Sequence, residues 1–316
     1  MDSPIDRLPT LASVVGASWW QMNPDCFSAP GMPQVPWYVQ CDRDLAGLAK
    51  MLSLEQLIAA YRAMLRDRDG FVAGVYEVHG AALLAARASQ AQLHVPRGDG
   101  GGRNFDVRAT IAGYAVNADA KTRDDRWPFN LPRQDEADGI RGFFGERASV
   151  DPRDAQQLGM PTATRTSRES DWKPIPESTV VVDVLANALR QLPIDGINVV
   201  LLGQVQGDRE HLERALGGVE ICDFVTDRRT RTSWAEWRRL PTGIFGTGPK
   251  AEAFIGLSAI LWMRLSCVGD DLYRTYRLYE NPTARCPLPA PVRTAFAATM
   301  QEWTLLPPEP LPHSAP

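Results

Sequence analysis

The stretch from Asn104 to Thr122, NFDVRATIAGYAVNADAKT, constrains the fold of this chain more than any other. Valine, isoleucine, threonine, tyrosine and phenylalanine dominate it, and these residues suit a pleated, half-buried surface. The dipeptide Ala112-Gly113 predicts a tight turn between two strands. Because side chains alternate across a strand, Asp119 and Lys121 are expected on one face. Folding back at the turn would bring Asp106 alongside them, at one end of a small sheet.

These side chains have the chemistry of a metal site. Carboxylate oxygens are the hard ligands that Mg²⁺ and Mn²⁺ prefer. A divalent ion held by Asp106 and Asp119 can lower the pKa of a bound water and stabilise charge on a phosphate. Lys121 can orient that water or contact the phosphate as a point charge. A second interpretation stays open, in which Asp119 and Lys121 form only an ion pair on the strand face.

Two helices are predicted before the hairpin. Residues 53–67 form an amphipathic helix that Ser53 caps, with Gln56 at the capping-box position. A second helix is predicted over about 72–90, and Glu77 lies beside its apolar stripe. His79 is expected on the surface. A short strand over 92–96 follows this helix.

The hairpin is followed, after a long polar segment, by a predicted helix over 179–191 and a buried strand over 197–205. The pattern of Asp106 followed by Asp119-Ala120-Lys121, together with this order of elements, resembles the PD-(D/E)xK nuclease superfamily over roughly residues 71–216. Phe105 stands where the family name has proline.

The resemblance implies an α/β fold. Its restriction-endonuclease-like α-β-β-β-α-β core has a mixed central sheet flanked by helices, here with N- and C-terminal extensions. It also implies that Asp106 and Asp119 bind Mg²⁺ or Mn²⁺ and that Lys121 acts in catalysis. A helix before the sheet often supplies one more acid in this superfamily, and Glu77 matches that place. An ordinary solvated glutamate is the alternative for Glu77.

The expected function is that of a metal-dependent endonuclease that hydrolyses phosphodiester bonds of DNA, with RNA as the second choice. Members of the superfamily often work in restriction, phage defence, repair or mobile-element settings. The alternative is a catalytically inactive nuclease-like fold that serves as a nucleic-acid-binding or protein-interaction module. An enzyme acting on small molecules has less support, because the chain contains no nucleophile elbow, HExxH motif or Cys/His cluster.

Composition suggests how the chain is divided. Residues 1–52, rich in proline and tryptophan, are expected to pack as an arm on the body. The core is predicted over 53–216, with an inserted polar segment at 123–178. Residues 217–306 are predicted to form a mainly helical extension, and 307–316 a disordered tail.

The extension contains a candidate nucleic-acid contact and an apolar run. Residues 251–267 are predicted to form a hydrophobic helix. Residues 227–239 interleave arginines with tryptophans, which suits phosphate contact and base stacking, although a charged helix face would explain the pattern equally well. The residues predicted to contact nucleic acid are Arg228, Arg229, Arg231, Trp234 and Arg238.

The overall composition narrows the class of protein. The 316 residues carry a net charge of −4 with a pI near 5.7, which argues against non-specific coating of nucleic acid but not against a nuclease. The five cysteines form no disulfide framework, no apolar run is long enough for a membrane span, and the N-terminus lacks a signal-peptide pattern. The cytoplasm is therefore the expected location. A homodimer or a partner protein is left open.

Overall fold

The computed structural model of the chain describes residues 8–16, 18–19, 35–67, 70–98, 102–124, 177–206, 209–218, 220–227, 232–239, 242–268 and 271–306. The helices are α1 Pro9–Val15, α2 Val35–Leu48, α3 Leu54–Arg66, α4 Phe71–Ala85, α5 Glu177–Leu189, α6 Glu210–Gly217, α7 Pro249–Ala253 and α8 Ala290–Thr304. The strands are β1 Ala88–Pro96, β2 Asn104–Ile111, β3 Tyr114–Asp124, β4 Ile197–Gln206, β5 Glu220–Asp227, β6 Thr232–Arg239, β7 Ala259–Val268 and β8 Asp271–Glu280.

A six-stranded sheet of order β1-β2-β3-β4-β7-β8 forms the centre of the fold. Its β1–β2, β2–β3 and β7–β8 pairs are antiparallel, whereas β4 and β7 run parallel, so the sheet is mixed. The prediction of an α/β fold with a mixed sheet flanked by helices is confirmed. The elements α4, β1, β2, β3, α5 and β4 follow one another in the predicted order.

The two predicted N-terminal helices have clear local causes. The Ser53 hydroxyl accepts a hydrogen bond from the Gln56 N–H, and the Gln56 side chain accepts one from the Ser53 N–H, which completes the predicted capping box. Helix α4 ends earlier than predicted, at Ala85, because β1 begins at Ala88. Almost every residue of α4 is buried, since α2, α3, α8 and the sheet surround it.

The described residues divide between two compact units. One unit draws on 1–123, 185–205 and 253–316 and contains the six-stranded sheet. The other draws on 124–184 and 206–252 and contains the two-stranded antiparallel sheet of β5 and β6. These limits differ from the predicted core at 53–216.

The prediction of a mainly helical extension over 217–306 is wrong for the part of it that the structure describes. Strands β5 to β8 lie there, and the run predicted as a helix over 251–267 contains most of β7. Strand β7 is central in the sheet and buried on both faces, so it reads as a continuous apolar run, as a buried helix also does. Most of the predicted insert and the whole predicted tail lie outside the described residues.

Helices α1 to α4 and α8 contribute to one hydrophobic core with the large sheet. The described part of the predicted arm packs on this core as expected: Trp37 is buried, and its ring meets that of Tyr76 edge-on at 5.6 Å. Within the described ranges, no helix is long and apolar enough to cross a membrane.

Strand β4 and helix α4 approach each other closely, and this contact sets the position of the helix that carries Glu77. A Cβ at Gly203 would lie 2.8 Å from the Tyr76 Cβ and closer still to the Tyr76 ring. The Tyr76 hydroxyl donates to the Gln204 carbonyl at 2.7 Å and accepts from the Leu265 N–H at 3.0 Å. Because both contacts hold the ring, it cannot easily move aside.

We therefore expect Gly203→Ala to lower the free energy of unfolding by about 1–3 kcal/mol through overpacking. Urea titration followed by circular dichroism measures the change. Gly47→Ala is the matched control, because Gly47 lies in α2 with nothing within 4 Å of its added methyl. This control should be neutral or stabilising by up to about 1 kcal/mol. Equal stability of the two variants would contradict the expectation.

Candidate functional site

The predicted hairpin is confirmed. Strands β2 and β3 pair antiparallel from Val107–Ala118 to Ile111–Tyr114. Ala112 and Gly113 connect them with positive φ angles of 51° and 84°. Two positive φ angles in a two-residue connection match the right-handed twist of the flanking strands. This register, continued by one residue, sets Asp106 opposite Asp119.

Where the regular pairing ends, the two aspartates take different environments. The Asp106 Oδ2 atom accepts a hydrogen bond of 2.6 Å from the Ala120 N–H, so the carboxylate is fixed by the neighbouring strand. Asp119 is completely buried. The Lys121 Nζ atom lies 2.5 Å from the Asp119 Oδ2 atom, which agrees with the prediction that these two residues share a face. Lys121 also donates to the Ala120 carbonyl at 3.1 Å.

Glu77 reaches the same place from α4. Only 8% of the residue is exposed, so the alternative of an ordinary solvated glutamate does not hold. Its Oε1 atom lies 3.5 Å from the His94 Nε2 atom, which is too long for a good hydrogen bond. Within the described part of the chain this oxygen has no hydrogen-bond partner. A buried carboxylate oxygen left in this way is costly unless something else binds it.

The crowding of the carboxylates changes their proton affinity. Burial, followed by the negative charges of Glu77 and Asp119, raises the pKa of Asp106 to about 7. Burial also raises the pKa of Asp119 to about 6, although the Lys121 ammonium opposes that rise. Both carboxyls therefore keep their protons to a higher pH than the carboxyl of a surface aspartate does. A cation placed among them would relieve that repulsion.

Two further residues, His94 and Tyr61, border the carboxylates and were not predicted from the sequence. The polar contact with the Glu77 carboxylate raises the pKa of His94. The Tyr61 ring lies edge-on to the His94 ring at 6.3 Å. Burial, and then the charges of Glu77 and Asp106, raises the pKa of Tyr61. Neither residue has a sequence signal, since β1 carries a lone histidine and α3 an ordinary apolar stripe.

The chemistry of these residues suits a hard divalent cation, although their arrangement does not yet form a complete ligand set. Among the described residues, no group of three or more His, Cys, Asp or Glu side chains is placed so that it could hold a metal ion. Lys121 occupies one oxygen of Asp119, while the other oxygen and the Glu77 Oε1 atom have no hydrogen bond. Unpaired carboxylate oxygens are the donors that Mg²⁺ or Mn²⁺ would require. The type of donor therefore suits such an ion, but the described residues form no ready-made set of three ligands, and the Lys121 ammonium is the cation that now lies against Asp119.

His79, expected on the surface, is instead completely buried. Its Nδ1 atom lies 2.7 Å from the Asp44 Oδ2 atom, and its Nε2 atom lies 2.8 Å from the Tyr276 hydroxyl. The expectation was wrong because α4 is enclosed on all sides, so that every face of it meets other elements. His79 ties α2, α4 and β8 together and lies apart from the contacts of Glu77.

The candidate nucleic-acid contacts are described only in part. Arg228, Arg229 and Arg231 lie outside the described residues. Trp234 and Arg238 lie on β6, where they pair with Val225 and Ile221 of β5. The segment is therefore a strand where the structure describes it, and the alternative of a charged helix face does not hold there.

The chain was also compared with known proteins. No protein family matches it. The curated proteins and the solved structures likewise give no match. The cluster formed by Glu77, Asp106, Asp119 and Lys121 is therefore the feature of the chain that bears most directly on its function.

Proposed function

We propose that this chain is a metal-dependent nuclease of the PD-(D/E)xK kind, with DNA as its substrate and RNA as the second choice. One observation carries the proposal: Glu77, Asp106, Asp119 and Lys121 converge from α4, β2 and β3, and burial with mutual repulsion raises the pKa of both aspartates. Such perturbed carboxylates are frequent at functional sites. The order of elements around them agrees with the resemblance found in the sequence.

Each residue has a distinct role in this proposal. Asp106, Asp119 and Glu77 would hold Mg²⁺ or Mn²⁺, which supplies a water of lowered pKa and stabilises charge on the phosphate. The Ala120 N–H keeps the Asp106 carboxylate oriented. With a cation held by these carboxylates, the Lys121 ammonium would be available to orient the attacking water and to contact the phosphate as a point charge. Burial of Asp119 keeps bulk water from solvating the charges.

Cleavage assays test the proposal. Supercoiled plasmid, linear duplex DNA, single-stranded DNA and RNA are each incubated with the full chain in Mg²⁺, Mn²⁺ or EDTA. We expect cleavage with metal and none with EDTA. The double variant Asp106→Ala/Asp119→Ala, purified in the same way, reports any contaminating nuclease. Equal cleavage by this variant and the wild type would refute the proposal, as would cleavage that EDTA leaves unchanged.

A second candidate is the catalytically inactive module, and one observation favours it. The 2.5 Å contact between Lys121 and Asp119 already neutralises the buried carboxylate without any metal. The two candidates differ in their response to cations, because an ion that binds only the native state raises its stability. A nuclease site should raise the melting temperature with Mg²⁺ or Mn²⁺. A closed ion pair should leave it unchanged.

A further inference from the structure

Three arginines gather at the C-terminal end of α5. Beyond the Pro96–Asn104 pair of β1 and β2, the Arg97 N–H donates a hydrogen bond of 2.9 Å to the Arg103 carbonyl. The guanidinium groups of Arg97 and Arg103 both donate to the carbonyl of Arg190, and the bond from Arg103 is 3.3 Å long. The Arg190 side chain donates to the side chain of Asn187, in the last turn of α5. All of these residues belong to the unit that contains the six-stranded sheet.

Capping of α5 explains only part of this arrangement. The C-terminus of an α-helix carries about half a negative charge, which favours basic side chains but compensates only a fraction of three guanidinium groups. Arg103 and Arg190 are exposed, and neither forms a salt bridge with a carboxylate among the described residues. Each guanidinium has five N–H donors. Most donors of these two arginines are therefore available to an anion.

The three arginines lie next to the carboxylate cluster. Gln191 follows Arg190, and its Oε1 atom lies 3.5 Å from the Lys121 Nζ atom. Asp106 comes three residues after Arg103, which is about 10 Å at the usual rise of a strand. The phosphates of one DNA strand follow each other at about 3.4 Å along the helix axis. A strand with one phosphate at Lys121 would therefore bring a phosphate about three nucleotides away to these arginines.

We propose that Arg97, Arg103 and Arg190 bind the phosphate backbone of a nucleic acid and so position the strand beside the carboxylate cluster. Guanidinium groups bind phosphate through paired hydrogen bonds, and such contacts fix the register of a nucleic acid without reading its sequence. Because the whole chain has a net charge of −4, a local basic surface is needed to attract a polyanion.

The inference rests on the proposed function, to which it adds a surface that binds the substrate. This surface needs no metal ion. It lies outside the segment 227–239, which the sequence predicted to contact nucleic acid.

Binding of labelled duplex DNA, single-stranded DNA and RNA to the full chain in EDTA tests this surface without cleavage. The test variant is Arg103→Gln/Arg190→Gln, because glutamine removes the charge and keeps an N–H for the present acceptors. In about 0.1 M salt we expect a loss of affinity of about 10–100-fold. The slope of log K against log salt should become shallower by about 1.4–1.8, the value for two lost phosphate contacts.

Two further variants separate charge from folding. Arg87→Gln/Arg293→Gln is the matched control, because it removes two charges from exposed arginines that are paired with Glu302 and Glu280. It should leave the affinity and the salt slope unchanged. Arg190→Gln alone keeps both bonds to the Arg190 carbonyl, so it serves if the double variant melts at a lower temperature than the wild type. Its salt slope should become shallower by about 0.7–0.9.

The outcomes separate this inference from the proposed function. If the arginine variants bind nucleic acid as the wild type does, or if the wild type binds none, the inference is wrong. Metal-dependent cleavage by the wild type would still support the proposed function. Displacement of labelled DNA by polyglutamate as readily as by unlabelled DNA would also overturn the inference, because the surface would then recognise negative charge and not phosphate. If the variants lose binding and the wild type cleaves nothing, the surface stands and the nuclease proposal is wrong.

Discussion

Replacing Lys121 with alanine is expected to slow metal-dependent cleavage by about 10²–10⁴-fold while tightening the binding of Mn²⁺. The rate falls because the variant loses the group that orients the attacking water and contacts the phosphate. Metal binding tightens because the Lys121 ammonium, 2.5 Å from the Asp119 Oδ2 atom, competes with a cation for that carboxylate. Loss of a metal ligand would instead weaken both activity and binding.

Cleavage rates under saturating Mn²⁺, together with Mn²⁺ affinities from calorimetry, measure the two effects. Lys50→Ala is the matched control, because Lys50 is an exposed lysine in the turn after α2. It should change neither quantity. If Lys121→Ala cleaves as fast as the wild type, Lys121 has no role in the mechanism. If the variant binds Mn²⁺ more weakly than the wild type, the role of Lys121 is structural.

Asp106→Asn is expected to stabilise the metal-free protein at pH 8, by about 1–4 kcal/mol, while abolishing cleavage. The pKa of Asp106 is raised to about 7 in the folded protein, well above the ordinary value of an unfolded aspartate. Between about pH 4 and pH 7 the folded chain therefore holds a proton that the unfolded chain has lost. This difference makes the contribution of Asp106 to stability fall as the pH rises through that range. Asparagine carries no charge at any pH, so it removes this loss of stability, and its side-chain oxygen can still accept the hydrogen bond from the Ala120 N–H.

Urea unfolding in EDTA at several pH values tests this expectation. The gap between Asp106→Asn and the wild type should be near zero at pH 4 and should widen up to about pH 7. Adding Mn²⁺ should reverse the order of stability at pH 8, because only the wild type gains binding energy from a full ligand set. Asp195→Asn is the control, because the Asp195 side chain is 80% exposed and forms only a surface ion pair with Arg285. A gap that does not change with pH would contradict the raised pKa.

Local sequence signals were sufficient for the hairpin and its motif. Ala112-Gly113 and the alternation of the flanking residues determine the turn, the pairing and the shared face of Asp119 and Lys121, because all three depend on near neighbours in the chain. The capping box of α3 was predictable for the same reason. Glu77 was a candidate because it matches the place of the extra acid in the resemblance, with a solvated glutamate left open as the alternative.

Features that depend on distant contacts were not predictable. A continuous apolar run shows neither the helical nor the strand periodicity of hydrophobic residues. It therefore cannot distinguish a buried helix from a strand buried on both faces, and the run that contains β7 was predicted to be a helix. His79 was misplaced because its partners Asp44 and Tyr276 come from distant parts of the chain. His94 and Tyr61 were missed because only the packing of α3 against β1 brings them to the carboxylates.

The late position of β7, β8 and α8 in the chain has a consequence for biosynthesis. The motif strands β2 and β3 are synthesised before β7 and α8, yet the core beneath them includes Leu261, Met263, Val292 and Phe296. At the usual rate of translation, roughly 10–40 s separate the synthesis of Lys121 from that of α8. During this interval the nascent chain carries the motif without the packed sheet that would bury Asp119. Translation products that stop before α8 should therefore contain every residue of the motif and lack the finished carboxylate cluster.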